Sequence, residues 1–427
     1  MTGTQRNVAR AQTRLDKIGA PLGGWTAEAR AAALVRLQSQ GLPGRRDEYW
    51  RYTRPDSLIA ADAPTAVPEQ HGEAGVFDDL DALKIVFIDG VFDAQASDDL
   101  HLEGITIERL EATETLDIHW AKPIYGSLET AGQTPVARPL ASLNTAQASD
   151  GVLIHAKATP GKPVSIIYRH ADEHSDVVLH HVVKIAEGAT LELLESGAAA
   201  ARFNHVLEVE IADRGQFHHV RAQGPDRACR LVTHLFTRLG TESVFKSFTL
   251  GVNGVLTRNE CVIELTGDDA VAHVAGAVIG DGDFHHDDTV FITHDALRCE
   301  SRQVFKKVLR NGAVGVFQGK ILVKKDAQKT DGYQISQSLL LDGDSQFLAK
   351  PELEIYADDV ICSHGSTSGA IDDDALFYLR ARGIPVEIAT DLLTLAFLAE
   401  ALHEIESDSL SAAVGDRLEA WLALRRS

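Results

Sequence analysis

Two textures alternate along the chain. Residues 1 to about 60 carry helical spacing. Thr26 stands where an N-cap would, Glu28 follows in the first turn, and Leu34 and Leu37 fall one turn apart. Gly41 and then Pro43 stop that run. A Pro- and Ala-containing link follows, from Asp62 to Pro68. Ile85 to Ile88, the pair Asp89-Gly90, and Val91-Phe92 then predict a hairpin with a tight Asp-Gly turn.

From about residue 150 to 362 the pattern is short β-rich runs broken by Gly, Asp or Asn. Val152–His155, Val164–Tyr168, Val206–Ile211, Val262–Leu265, Val290–Ile292, Gly319–Val323 and Leu353–Ile355 are examples. Helix-period stretches are absent there, which excludes a βαβ sheet with crossover helices. Several runs are apolar on successive residues, as expected when both faces are covered. Their turns are too irregular for a sandwich of evenly spaced hairpins. A β-helix or a jelly roll fits, and with no sharp repeat period the pattern leaves both open.

Helical spacing returns at the end. Asp372-Asp-Asp374 puts negative charge at a helix start, Arg380 and Arg382 lie near its end, and Gly383 supplies the left-handed cap. Pro385 opens a second helix with a stripe of Ile388, Leu392, Leu395, Leu402 and Ile405. A third places Val414, Leu418, Trp421 and Leu422 on one face. Such helices can pack on one another or present a groove to a partner. The boundaries expected are a helical region with small β elements over 1–130, a β core over 131–365, and a helical domain over 366–427.

Composition narrows the class. The chain has 427 residues, 44% hydrophobic and 24% charged, as in an ordinary globular protein. A net charge of −21 argues against nucleic-acid and anionic-membrane partners, which need a basic surface. There is no apolar run long enough to span a bilayer and no secretory core, so a cytoplasmic protein is expected. Arg6, Arg10 and Arg14 precede the first acid, Asp16, and read as a solvated helix face in preference to a transit segment. Cys229, Cys261, Cys299 and Cys362 form no CxxC pair and no cluster, which disfavours both a disulfide framework and a four-cysteine metal site.

Candidate chemistry lies in two places. His285-His-Asp-Asp288, His294-Asp295, Cys299-Glu300 and His273 could converge on adjacent coils as an N/O/S site. Read alone, the segment is better taken as a solvated turn and strand. The stretch Pro351 to Gly365 is more concentrated. Glu352, Glu354 and Tyr356 share one face of a period-two strand, and Cys362 and His364, two apart, share a side. A thiolate and an imidazole so placed can bind a borderline metal or a persulfide. No nucleophile elbow, P-loop or dinucleotide fingerprint is present, which disfavours an intrinsic ATPase or dehydrogenase.

Several of these segments, in fixed order, resemble the SufB/SufD family of iron–sulfur assembly proteins. They are Phe305–Leu309, Gly315–Ile321, Ala327–Asp331, Lys350–Val360, Cys362–Gly365 and Leu376–Gly383, preceded by Glu48-Tyr-Trp-Arg-Tyr-Thr53, Leu143–Ala146 and Asp150–His155. The similarity covers most of the chain and thins between about 60 and 130. It leans to the SufD side, because the chain is short and cysteine-poor, and Ile355 stands where SufB carries its essential cysteine. The resemblance implies a right-handed parallel β-helix between helical ends and a non-catalytic scaffold subunit, not an enzyme. It implies a SufB-like partner along the β-helix and a SufC-like ABC-type ATPase on the C-terminal helices, at Leu376, Phe377, Leu379, Arg380, Arg382 and Gly383. A homodimer of the isolated chain stays open. His364, with Cys362, would border the cluster-assembly interface, and His364 would ligate iron or a transient iron–sulfur cluster shared with the partner. The rival reading is a β-helix carbohydrate lyase or esterase. Aromatic residues are only 6% of the chain, too few to suggest a sugar-lined groove.

Overall fold

A computed structural model describes residues 12–14, 16, 23–68, 75–224, 228–252 and 254–424. Its centre is a parallel β-solenoid of about seven turns. Each turn gives one strand to each of two sheets, so strands pair with those two further along the chain. One ladder runs Asp176 to Arg202, Arg230, Leu256, His285, Val314 and Gln346, in parallel register throughout. Successive coils therefore advance by 26, 28, 26, 29, 29 and 32 residues. This drift is why no repeat period shows in the sequence. The solenoid decides between the two all-β readings.

Side chains alternate between the bore and the outside. Leu207, Leu235, Cys261 and Val290 stack inside, with Phe305 and Phe317 further along. Each fully buried side chain of this kind contributes about 1.5–3 kcal/mol. The outer faces are covered as well, which explains the runs that are apolar on successive positions. Helix Pro139–Gln147 lies wholly buried on one sheet. Its Asn144 Nδ2 donates to the Leu179 and Asn204 carbonyls at 3.0 and 2.9 Å. The segment Glu48–Thr53 seals the same face further along. Arg258 stacks 4.2 Å from the Trp50 ring, and Gln318 Nε2 donates to the Tyr49 carbonyl at 3.1 Å.

The two ends of the solenoid differ. At the N-terminal end each sheet stops at a short antiparallel strand, Val91–Phe92 in one and Ile105–Arg109 in the other. The first closes the expected hairpin. Asp89 and Gly90 both take positive φ, 46° and 75°, which is the two-residue turn that Asp-Gly favours. Such short strands blunt an edge. At the other end the sheets stop at Gln346–Ile355 and Ile361–Gly369, each paired on one side only.

Three local expectations change. Helix Ala27–Gln40 forms and Leu37 is buried, but Thr26 makes no side-chain cap, because its Oγ1 accepts from Arg30 Nε at 2.9 Å. Beyond that helix, only short helical turns at Glu48–Trp50 and Asp56–Ile59 continue the N-terminal helical reading. Arg14 is buried and pairs with Asp176 at 3.5 Å, so it lies on no solvated face; Arg6 and Arg10 fall outside the described residues. Among the described residues no disulfide joins the four cysteines.

The C-terminal helices Asp373–Ala381, Val386–Leu402 and Asp408–Leu424 follow the last strand. Val414, Leu418, Trp421 and Leu422 are buried as expected, packed with outer-face residues such as Phe248 and Val304. The middle helix bears out part of the predicted stripe, since Ile405 is buried and Leu395 and Leu402 pack against the same cluster. It buries Ala389, Asp391, Thr394, Leu398 and Ala401, and leaves Ile388 and Leu392 exposed. No helix among the described residues is long and apolar enough to cross a membrane.

Candidate functional site

The strand Ile361–Gly369 carries Cys362 and His364 on the free edge of its sheet. Parallel pairing sets Cys362 beside Gly332 and His364 beside Gln334. The missing side chain of Gly332 makes room for the thiol: a Cβ there would stand 3.2 Å from Cys362 Sγ. Cys362 is half-buried and packs with Leu353 and Val360 against Ile321, Val323 and Ala327. Burial pushes its thiol above the ordinary range, against a smaller opposing pull from the Gly332 backbone. His364 is exposed. The two residues share the side of the strand that faces the bore. Ser366 and Ser368 sit on that side too, bonded to Ser336 and Ser338 at 3.1 and 2.8 Å.

The acidic pair points the other way. Tyr49 Oη donates to Glu352, and Lys350 bridges Glu48 and Glu352 at 2.7 and 3.5 Å. Glu354 pairs with Lys320 at 2.6 Å and accepts from Tyr356 Oη at 2.5 Å. Glu352, Glu354 and Tyr356 do share a face, but it is the outer one and its charges are matched. Ile355 alternates with them. It lies on the side of Leu353, which packs with Cys362, and it is exposed at the rim.

The histidine-rich segment does not converge and, apart from exposed Asp295, is largely covered. His286, Asp287, Asp288 and His294 are all buried in strand His285–His294. Asp287 faces outward, accepting from Thr53 Oγ1 and Arg258. Asp288 faces the bore, 2.5 Å from Lys307 Nζ. His294 meets Ser301 Oγ at 2.8 Å, Cys299 Sγ donates to the Gly267 carbonyl at 3.3 Å, and His273 lies between Glu404 and Glu300. Alternation sends neighbours to opposite sides of the sheet, which prevents a joint site. The solvated reading fails because the Glu48–Thr53 segment covers the outer face.

Beside the open end, helix Asp373–Ala381 buries none of its residues. Asp372 caps it, accepting from the Ala375 N–H at 2.8 Å, and Gly383 takes φ +84° just past its end. Phe377 is 73% exposed and Tyr378 lies next to it, with Arg382 stacked 3.5 Å from the tyrosine ring. Leu376 and Leu379 are partly covered, while Arg380 and Arg382 are open to solvent. Val386, Ile388 and Leu392 on the next helix are exposed as well, and exposed large apolar side chains in such number are a signal of an interaction surface.

The fold and the site define a β-solenoid protein blunted at one end and open at the other, with a thiol and an imidazole on the open rim. Sequence comparison supplies the family. The family model described as SUF system FeS cluster assembly, SufBD core domain, matches residues 168–397, and the SufBD protein N-terminal region matches 16–161. The chain belongs to the SufB/SufD family, whose role is in iron–sulfur cluster assembly. It is 26% identical to the iron–sulfur cluster assembly protein SufD of Escherichia coli, over 90% of this chain and 91% of that one. An iron–sulfur cluster assembly SufBD family protein of Synechocystis is 26% identical over 89% and 88%. The Bacillus subtilis SufD protein is 28% identical over 57% of each.

Proposed function

We propose that this chain is a non-catalytic, cytoplasmic scaffold subunit that builds iron–sulfur clusters at an interface. A SufB-like subunit would pair with the open end of the solenoid, and a SufC-like ATPase would dock on the C-terminal helices. The observation that carries this is the unfinished last coil. Gln346–Ile355 and Ile361–Gly369 are paired on one side only, whereas short antiparallel strands close the other end. A long free edge is a template for another strand, and a sister solenoid would complete both sheets at once. A second copy of this chain is the alternative occupant when the partner is absent.

Within that interface His364 is the ligand this chain offers. Iron arrives as substrate, and a neutral imidazole suits it. Cys362 is the weaker candidate, since a thiol raised by burial is a poor nucleophile and becomes a ligand only when a metal displaces its proton. Ile355 at the rim gives no sulfur acceptor, so the persulfide-bearing thiolate must come from the partner.

His364→Ala in the reconstituted complex is expected to lower cluster formation at least about tenfold, with complex assembly unchanged because the residue is exposed. Iron and sulfide analysis of the co-purified complex reads this out, and normal cluster yield removes His364 from the mechanism. Phe377→Ala is expected to weaken ATPase binding by about 1–2 kcal/mol, roughly tenfold in Kd, and to leave the melting temperature of the isolated chain unchanged. Titration calorimetry with the ATPase subunit checks it.

A further inference from the structure

The solenoid bore holds a second group of metal-ligating side chains, well away from the open end. One ligand atom each from His181, Glu195 and His205 lies within 4.8 Å of the others, and all three residues are buried. They come from three successive strands, Asp176–Ile185, Thr190–Gly197 and Arg202–Ile211. Strand Thr190–Gly197 is six steps from Ile361–Gly369 in the same sheet, so the group sits roughly 29 Å from the Cys362–His364 rim.

Most of its neighbours are fully bonded. Tyr168 Oη donates to Glu195 Oε1 at 2.6 Å, and His219 Nε2 meets Oε2 at 2.7 Å. His181 Nδ1 accepts the Val152 N–H at 2.8 Å, which puts the ring hydrogen on Nε2, 2.9 Å from Tyr168 Oη. His205 is the exception. Its Nε2 lies 3.1 Å from Glu195 Oε1 but out of line for a hydrogen bond, and neither ring nitrogen has a hydrogen-bond partner. A buried imidazole left in that state costs about 1–3 kcal/mol unless something fills the gap.

A void of about 10 Å³, measured to the centre of a water-sized body, adjoins two of the three, Glu195 and His205, and is also lined by Tyr168, Arg221, Gln223 and Thr233. It has room for one such body. Arg221 Nε and Gln223 Oε1, both on its wall, also lack partners. Two histidines, one glutamate and an adjoining open position make a recurrent set for zinc.

We propose that His181, Glu195 and His205 form a mononuclear site for a borderline divalent ion, Zn²⁺ or Fe²⁺, with one water in the adjoining void as fourth ligand. On loading, the His181 ring hydrogen moves from Nε2 to Nδ1, the Val152 N–H and Tyr168 Oη give up their bonds to this ring, and the freed Nε2 takes the ion together with Glu195 and the His205 ring nitrogen. The bound water donates to Gln223 Oε1 and accepts from Arg221 Nε. Arg221 opposes the cation but stabilises its water as hydroxide, while Glu195 supplies the negative charge. Because the site is closed, it loads as the chain folds, and the ion stabilises the early coils. The site is independent of the interfacial role proposed for His364.

The test uses the full chain without a polyhistidine tag, produced with supplemental zinc and purified without chelator. Elemental analysis is expected to find about one ion per chain, and cobalt substitution to give the visible bands of a four-coordinate ion. Glu195→Gln and His205→Gln are expected to lower the metal content at least about tenfold, and His364→Ala to leave it unchanged. Wild-type protein with under about 0.1 ion per chain, or an equal content in folded Glu195→Gln, overturns the site. Should the variants fail to fold, the wild type dialysed against a strong chelator decides. A melting temperature that falls by several degrees and recovers with zinc supports the site, and an unchanged one refutes it.

Discussion

Acidification from pH 7.5 to 5 is expected to lower the unfolding free energy of the isolated chain by several kcal/mol. Burial holds His234 and His294 down to about 4, against the usual 6.5. His286 is displaced in the same direction, burial again being the leading cause. A folded-state pKa below the unfolded one means that the unfolded chain binds the extra proton. The stability these rings contribute is therefore complete above about pH 6.5 and is lost as pH falls from there toward 4. For His234 and His294 the loss is about 2 kcal/mol each by pH 5. Glu129 and Asp150, whose carboxyls burial raises, pull the other way lower in the window, but they are fewer. Urea midpoints across this range measure the effect. His294→Gln, which can keep a bond to Ser301, should flatten the slope by up to about 1.4 kcal/mol per pH unit. A midpoint that does not move between pH 7.5 and 5 contradicts the burial of these rings in neutral form.

Asp288→Ala is expected to destabilise the protein by about 3–5 kcal/mol, because it strands the Lys307 ammonium in the bore. Both residues are buried, with Nζ and Oδ2 2.5 Å apart, and Asn259 Nδ2 donates to the other carboxylate oxygen at 3.1 Å. Burial alone would raise the Asp288 carboxyl. The Lys307 ammonium and then His286 outweigh it and hold the group well below the usual carboxylate range. Its contribution is thus present above about pH 4 and would fade only under stronger acid, apart from the histidine window. The double change Asp288→Leu with Lys307→Met removes both charges and should be more stable than Asp288→Ala alone. Chemical denaturation of the three proteins tests this. A double variant no better than the single would mean that packing, and not the stranded charge, sets the cost.

The two predictions rest on buried polar side chains, some in the bore and some under the covered outer face, that were hidden in the sequence. His180-His181 interrupts an apolar run, Val177 to Val183, and two polar residues in a buried strand were the available signal. What could not be read was which coils would stack, since the coil length drifts and Glu195 and His205 meet His181 only through that stacking. The same blindness affected the His285–Asp288 segment. Its residues look solvated because the chain that covers them, Glu48–Thr53, lies more than 200 positions away.

The sequence by itself determined the local grammar: the β runs and their turns, the Asp89-Gly90 hairpin, the last helix with its buried face, and the ordered motifs that carry the family. These depend on residues within a few positions of one another, where side-chain periodicity and backbone preference act directly. The winding into a β-helix was implied by the family motifs, while only the tertiary structure decided the closed and open ends, the outward exposure of Ile388 and Leu392, and the meeting of His181, Glu195 and His205. Those outcomes are set by the register between coils and by which surfaces cover one another, and contacts between distant residues leave no spacing to read in a single chain.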